Sequence, residues 1–187
     1  MAGRRPMVTA VICTAFDEAT DTAVYAVRET VRAAGVPMPD RPPHRPHFSL
    51  AAARLPRGEL DRVVTVAEKL AGRHAPISLR LDEVGRFGRA GVVWLGPAAR
   101  HTELDALQRD TDTALQAAGW PPAFGERSDP RRWIAHCTLA TRVAKPKLRE
   151  VQRAVQESYQ PISARIDALA VILVGGRGDT ALLPLRG

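Results

Sequence analysis

Two short segments of this chain pair an imidazole with a hydroxyl at positions i and i+2. They are His47-Phe48-Ser49-Leu50 and His136-Cys137-Thr138-Leu139. In an extended strand, i and i+2 project from the same face, so each segment presents one histidine beside one hydroxyl. Two such pairs facing each other supply two acid/base groups and two hydroxyl donors around a central space. A phosphate suits that space. The hydroxyls donate to non-bridging oxygens, and the imidazoles address the attacking and leaving oxygens. One imidazole must be neutral and the other protonated, which an ordinary histidine pKa of ~6.5 permits near neutrality. This is metal-free phosphodiester chemistry. A single His-x-Ser is usually a histidine of an ordinary core or surface strand, so the weight lies in the second copy.

The recurrence extends past the motifs. Each is followed by a helical pattern, a Pro-Ile-Ser triplet, a strand and a hairpin. Pro76-Ile77-Ser78 begins 29 residues after His47, and Pro161-Ile162-Ser163 begins 25 after His136. Asp82 and Asp167 each follow six residues after their proline. An internal duplication of this length constrains architecture more than any single motif. It predicts one domain over 1–187 with interleaved repeat units near 47–96 and 136–185. These form two βαβ-type lobes packed as pseudo-two-fold partners, with both histidine strands lining a shared cleft.

The elements that must position these groups read as follows. Residues 8–16 form a buried strand, and Asp17 caps a helix carrying Val24, Val27, Val31 and Ala34 that Gly35 ends. Residues 36–46 hold five prolines and form a stiff loop. A strand covers 47–53, and a helix uses Leu60, Val63, Val64, Ala67 and Leu70. Residues 76–84 and 91–96 read as a hairpin around Gly85-Arg86-Phe87-Gly88-Arg89. A third helix runs from Thr102 to Ala118, then a polar loop over 121–132 and a strand over 133–140. A fourth helix spans 146–158. Residues 162–174 and 180–185 close the chain as a hairpin around Gly175-Gly176-Arg177-Gly178.

Composition bounds the function classes. The 187 residues are 45% hydrophobic and 25% charged, which is ordinary globular usage and excludes a disordered chain or a coiled coil. No apolar run approaches the ~20 residues of a membrane span. Arg4 and Arg5 stand near the start, but no apolar stretch of signal-peptide length separates them from Asp17. A cytoplasmic monomer without membrane association is therefore expected. Cys13 and Cys137 lack metal-ligand spacing and read as buried thiols. The net charge is +7, and segments 41–57 and 127–149 carry +4 and +6 of it, which leaves −3 for the rest. Both basic segments flank a histidine motif, which points to an anionic ligand.

Other residues take lesser roles in this reading. Arg131 and Arg132, just before His136, are candidates for contact with an anionic ligand. Phe87, placed in a turn, is a candidate stacking platform for a base. Phe48 faces the core, opposite His47. Trp94, Trp120 and Trp133 are assigned to the core, Ser78 and Ser163 to strand starts, and Asp82 and Asp167 to the surface or the cleft. His44 is assigned to solvent, and His74 and His101 to helix ends. Gly175-Gly176-Arg177-Gly178 lacks the Lys-Ser/Thr of a phosphate loop and reads as a turn.

The two His-x-Ser/Thr motifs resemble the paired signatures of the 2H phosphoesterase superfamily. The nearest branch is its 2′-5′ RNA ligase / RNA 2′,3′-cyclic phosphodiesterase group. Val84-Gly85-Arg86-Phe87 and Val92-Val93-Trp94-Leu95-Gly96 are similar to that branch's segment between the motifs, and the likeness covers nearly the whole chain. The resemblance implies a bilobal α+β fold with two antiparallel-rich sheets, outer helices, a central cleft and no cofactor or metal. It implies that His47 and His136 are the acid/base pair and that Ser49 and Thr138 hold the phosphate. It further implies that His136 activates water and that His47 protonates the leaving ribose oxygen. The implied substrate is a 2′,3′-cyclic phosphate at an RNA end or on a nucleotide, with 2′-5′ ligation as a related transfer. Two other readings stand beside it: a non-catalytic RNA-end or nucleotide-binding module, and an enzyme of small cyclic nucleotides or 2′-5′ oligoadenylates. The chain departs from the family pattern at Ala51-Ala52-Ala53-Arg54, where an aromatic-Gly segment is common, and at Ala135, where proline is usual. Arg142 lies six residues after His136 rather than five. Strand parity then puts Arg142 on the face of His136 and Thr138 and makes it a further candidate for RNA contact.

Overall fold

The computed structural model describes residues 6–123, 129 and 131–187. Arg4, Arg5 and the arginine that opens the basic segment 127–149 lie outside the described residues. The apolar run after Met7 becomes β1 (Met7–Phe16), and every residue from Ala10 to Phe16 is buried. A strand covered on both faces needs no alternation of polar and apolar residues, which is why this one is so uniformly apolar. Asp17 accepts from the Thr20 backbone N–H at 2.8 Å and caps α1 (Glu18–Ala33), with Glu18 and Asp21 in the first turn.

The remaining elements are β2 (Ser49–Pro56), α2 (Leu60–Ala71), β3 (Ile77–Leu81), β4 (Glu83–Phe87), β5 (Val92–Gly96), α3 (Thr102–Ala117), β6 (Cys137–Ala140), α4 (Lys145–Ser158), β7 (Ile162–Leu173) and β8 (Ala181–Pro184). The architecture is α+β, with four helices and two antiparallel sheets among the described residues. The larger sheet has the order β2-β1-β7-β3, with β8 also paired to β7, and the smaller has the order β4-β5-β6. All these pairings are antiparallel, so the β-α-β connections do not make parallel pairs. One face of the large sheet packs into the main core through Ile12, Phe16, Leu55, Leu169 and Val171. Its other face carries Val11, Cys13, Ala15, Ala52, Ala168, Ala170 and Ile172 as a separate cluster of mostly small side chains. No helix among the described residues is long and apolar enough to cross a membrane.

The two Pro-Ile-Ser strands are neighbours. β3 runs antiparallel to the start of β7, with Leu79 opposite Ala164 and Ser78 opposite Arg165. Each of these strands therefore faces its own sequence counterpart. After them the two runs diverge. At Asp82 the first run breaks, and its continuation β4 enters the small sheet; the Asp82 backbone N–H donates to the Gly96 carbonyl and its carboxylate accepts from the Ala98 N–H. At Asp167 the second run continues as one strand, and β1 skips that residue in its register.

This corrects the expected hairpin. The 76–84 run is two strands in two sheets, and Gly85-Arg86-Phe87 lies within β4, paired to β5, rather than in a turn. Phe87 closes that strand opposite Val92. The strand expected over 133–140 begins only at Cys137, and the one expected over 47–53 begins at Ser49. Both histidines therefore stand just outside regular strands.

Candidate active site

The two motifs meet at a single point. Phe48 and Cys137 form an isolated antiparallel bridge, so Ser49 lies beside His136 in register and His47 beside Thr138. Three further contacts fix this junction. The Phe48 N–H donates to Thr14 Oγ1 at 2.9 Å, and its carbonyl accepts from the Thr14 N–H at 2.9 Å. Trp133 Nε1 donates to the Ser49 carbonyl at 3.0 Å. Phe48 itself is fully buried, edge-on to Phe16 with centroids 5.2 Å apart, as the strand parity requires.

Both histidines carry the same local restraint. His47 Nδ1 lies 2.7 Å from the Arg45 carbonyl, and His136 Nδ1 lies 2.8 Å from the Ile134 carbonyl. A carbonyl only accepts, so Nδ1 carries hydrogen in each ring and Nε2 is left for chemistry. The Arg45 carbonyl is itself held in place, because the Arg45 guanidinium donates to the Phe16 carbonyl at 2.8 Å and to Asp21 Oδ2 at 2.6 Å. Burial pushes the pKa of both imidazoles below its ordinary value. For His47 the charges of His44 and His136 act in the same direction, and its bond to the Arg45 carbonyl opposes them. Ser49 and Thr138 are half-buried, and neither hydroxyl bonds another described residue.

His47 faces two cavities. One, of about 480 Å³, is lined by His47 and Ser49 with His44, Ile172 and the Gly175–Arg177 turn. The other, of about 220 Å³, is lined by His47 and Thr138 with Arg28, Arg45, Met38 and Thr141 among others. His136 is flanked by aromatic rings, with Phe87 edge-on at 4.9 Å and Trp94 at 6.4 Å between centroids. Phe87 and Trp94 lie 5.5 Å apart.

Phe87 is not a free platform in a turn, since it packs against the His136 ring. Trp94 is core, as expected, and also part of this support. His44 is not a solvent residue. It is half-buried, lines both cavities and lies 6.4 Å from the His47 ring. Its Nδ1 reaches the Gly178 carbonyl at 3.2 Å, and the Gly178 N–H donates to the Pro43 carbonyl at 2.8 Å. The glycine-rich turn is thus tied to the proline loop, a pairing that sequence separation conceals. Arg142 is off the strand, because β6 ends at Ala140 and Arg142 adopts φ 59°. A left-handed residue breaks the alternation on which the parity argument depended. Arg131 is exposed and lies on Asp129 at 3.0 Å, and Arg132 is exposed beside it. The two cysteines are buried, and burial pushes the Cys137 thiol up to about 12 and raises Cys13 as well.

A family model described as the 2′-5′ RNA ligase superfamily matches residues 16–178. No curated protein sequence matches. Among solved structures, the TT0787 protein of Thermus thermophilus is similar with a TM-score of 0.64 and 17% identity over 96% of this chain and 98% of that one. LigT of E. coli complexed with 3′-AMP is similar at 0.56 and 19% over 96% of each chain. A crystal structure described only as that of a phosphoesterase scores 0.58 at 14% identity over 97% of this chain and 100% of its own. At these identities the structures speak for the fold. The family model spans both histidine motifs and most of the chain, and on that ground this protein belongs to the 2′-5′ RNA ligase superfamily.

Proposed function

We propose that this chain is a phosphodiesterase that opens a 2′,3′-cyclic phosphate at an RNA end or on a nucleotide, with His136 as base and His47 as acid. The observation that carries the reading is the matched restraint of the two imidazoles across the Phe48–Cys137 bridge. Each ring is held by Nδ1, which leaves two Nε2 atoms and two uncommitted hydroxyls around one junction. E. coli LigT has been solved with 3′-AMP and with ATP, and a nucleotide ligand for this chain agrees with that.

The step balances simply. His136 Nε2 takes a proton from water as its oxygen attacks phosphorus. The opposite ring P–O bond breaks, and His47 Nε2–H gives its proton to the leaving ribose oxygen. The product is a phosphomonoester beside a free hydroxyl. Ser49 and Thr138 donate to the non-bridging oxygens, whose charge is greatest in the transition state. With a 5′-hydroxyl in place of water, the same arrangement forms a 2′-5′ linkage. The basic segments extend this site to RNA, with Arg131, Arg132 and Arg142 as candidate phosphate contacts. Each phosphate neutralised on a single strand adds ~0.7 to the slope of log affinity against log salt.

The deciding experiment is product analysis on an oligomer ending in a 2′,3′-cyclic phosphate, beside 2′,3′-cyclic AMP and a 2′-5′ dinucleotide. Opening of the cyclic end without added metal supports the reading. Binding of the oligomer without turnover would point to a non-catalytic RNA-end module instead.

A further inference from the structure

The sequence of α1 places Arg28 where an apolar residue belongs. Val24, Arg28 and Val31 follow the i, i+4, i+7 spacing of one helix face, and both valines are fully buried. Arg28 is half-buried and points into the smaller cavity, whose wall it shares with His47 and Thr138. Burial lowers its pKa, which marks a cation held partly away from water. Its guanidinium makes no hydrogen bond or ion pair with any described residue.

The rest of the cavity sharpens the point. Its other arginine, Arg45, is already paired with Asp21. No carboxylate lines the wall, and Met38, Ala140 and the prolines give it an apolar rim. A half-buried charge without a partner is costly, and a ligand anion in this cavity would relieve that cost. The volume of about 220 Å³ falls below the ~300–1,000 Å³ of sites that enclose a whole small-molecule ligand. It suits one group of a ligand, while the 480 Å³ cavity on the Ser49 side has room for a nucleoside.

We infer that Arg28 forms a second anion subsite, which binds a further phosphate of the substrate on the Thr138 side of His47. The inference rests on the proposed function for the identity of the first phosphate. It makes Arg28 a specificity residue, with a guanidinium fork matched to two phosphate oxygens.

The test compares adenosine 2′,3′-cyclic phosphate with its 5′-phosphorylated form, on wild type, Arg28→Met and Arg28→Lys. Arg28→Met should lower kcat/KM ~10–100-fold on the doubly phosphorylated substrate, the range of a hydrogen bond to a charged group, and less than about 3-fold on the other. Most of the loss should fall in KM, and Arg28→Lys should restore part of it. Binding of adenosine 3′,5′-bisphosphate against adenosine 3′-phosphate, measured by calorimetry, should show the same selective loss. Equal losses on both members of each pair, or none, would overturn the subsite. If wild type turns over neither cyclic substrate, the proposed function fails, while the calorimetric pair still decides the role of Arg28. Thermal melts of the variants separate both outcomes from a folding defect.

Discussion

Phe48 stands directly opposite Cys137, and this one antiparallel bridge is where the two His-x-Ser/Thr segments join. The bridge residues face the core, and the chemical groups on either side of them face away. Burial pushes the Cys137 thiol up to about 12. Cys137 is therefore a packing residue that lies between two chemical ones. Cys137→Ala should keep turnover within about 3-fold while costing roughly 0.5–1.5 kcal/mol of stability, as for other small core truncations. Native protein should resist thiol reagents at neutral pH. A loss of ~10²-fold or more with an unchanged melt would show that the sulfur takes part in the reaction.

The histidines themselves are tested by His47→Ala and His136→Ala. Each should reduce turnover ~10²–10⁴-fold, and the double variant should lose less than the product of the two, since the proposed mechanism has them act on one step. Ser49→Ala and Thr138→Val each remove a proposed donor to charged phosphate oxygens, and each should cost ~2.7–4 kcal/mol of activation energy by analogy with oxyanion donors. A double hydroxyl variant that turns over at the wild-type rate would place the phosphate elsewhere.

Much of this was legible in the sequence because it depends on local chemistry. The His-x-Ser/Thr pairs, the Asp17 cap and the helix stripes follow from residue type and spacing. The Pro-Ile-Ser repeats turned out to be strand partners. What escaped depends on long-range placement. Residues 76–84 form a continuous β pattern, and nothing in that pattern marks Asp82 as the point where the chain leaves one sheet for another. Arg142 fits strand parity only if the strand is continued past its end at Ala140. His44 and Gly178 are separated by most of the chain, so their contact has no local signal. Arg28 does leave one, as a charge on the apolar stripe of α1 between Val24 and Val31.

Two glycines support the His136 side through close approach. A β-carbon on Gly85 would overlap the Trp94 ring, and one on Gly96 would overlap the Ala135 carbonyl, one residue before His136. Gly85→Ala and Gly96→Ala should each destabilise by ~1–3 kcal/mol, as overpacking does. Gly96→Ala should also move His136, so its loss of kcat should persist at temperatures where the variant is fully folded. A stable Gly96→Ala enzyme with wild-type kcat would show that the Ala135 backbone yields without disturbing the histidine.

Burial holds both imidazoles below the ordinary 6.5, and the charges of His44 and His136 add to this at His47. With one ring as base and the other as acid, as proposed, activity requires one neutral and one protonated ring, so the optimum of kcat/KM should lie between the two pKa values. It should therefore fall on the acid side of about pH 6.5 and decline toward neutrality. A bound phosphate is anionic and favours imidazolium, so the kcat profile should sit at higher pH than that of kcat/KM. Stability runs the other way. As pH drops below about 6.5 the unfolded chain takes up these protons before the native protein does, so unfolding becomes easier from there down to the native pKa values. His47→Gln and His136→Gln should each flatten that acid-side loss. The rate profiles and the denaturant midpoint against pH are independent measurements of the same two groups. A kcat/KM optimum above about pH 7.5, or midpoints that do not change between about pH 7 and 5, would show that burial does not hold these rings neutral.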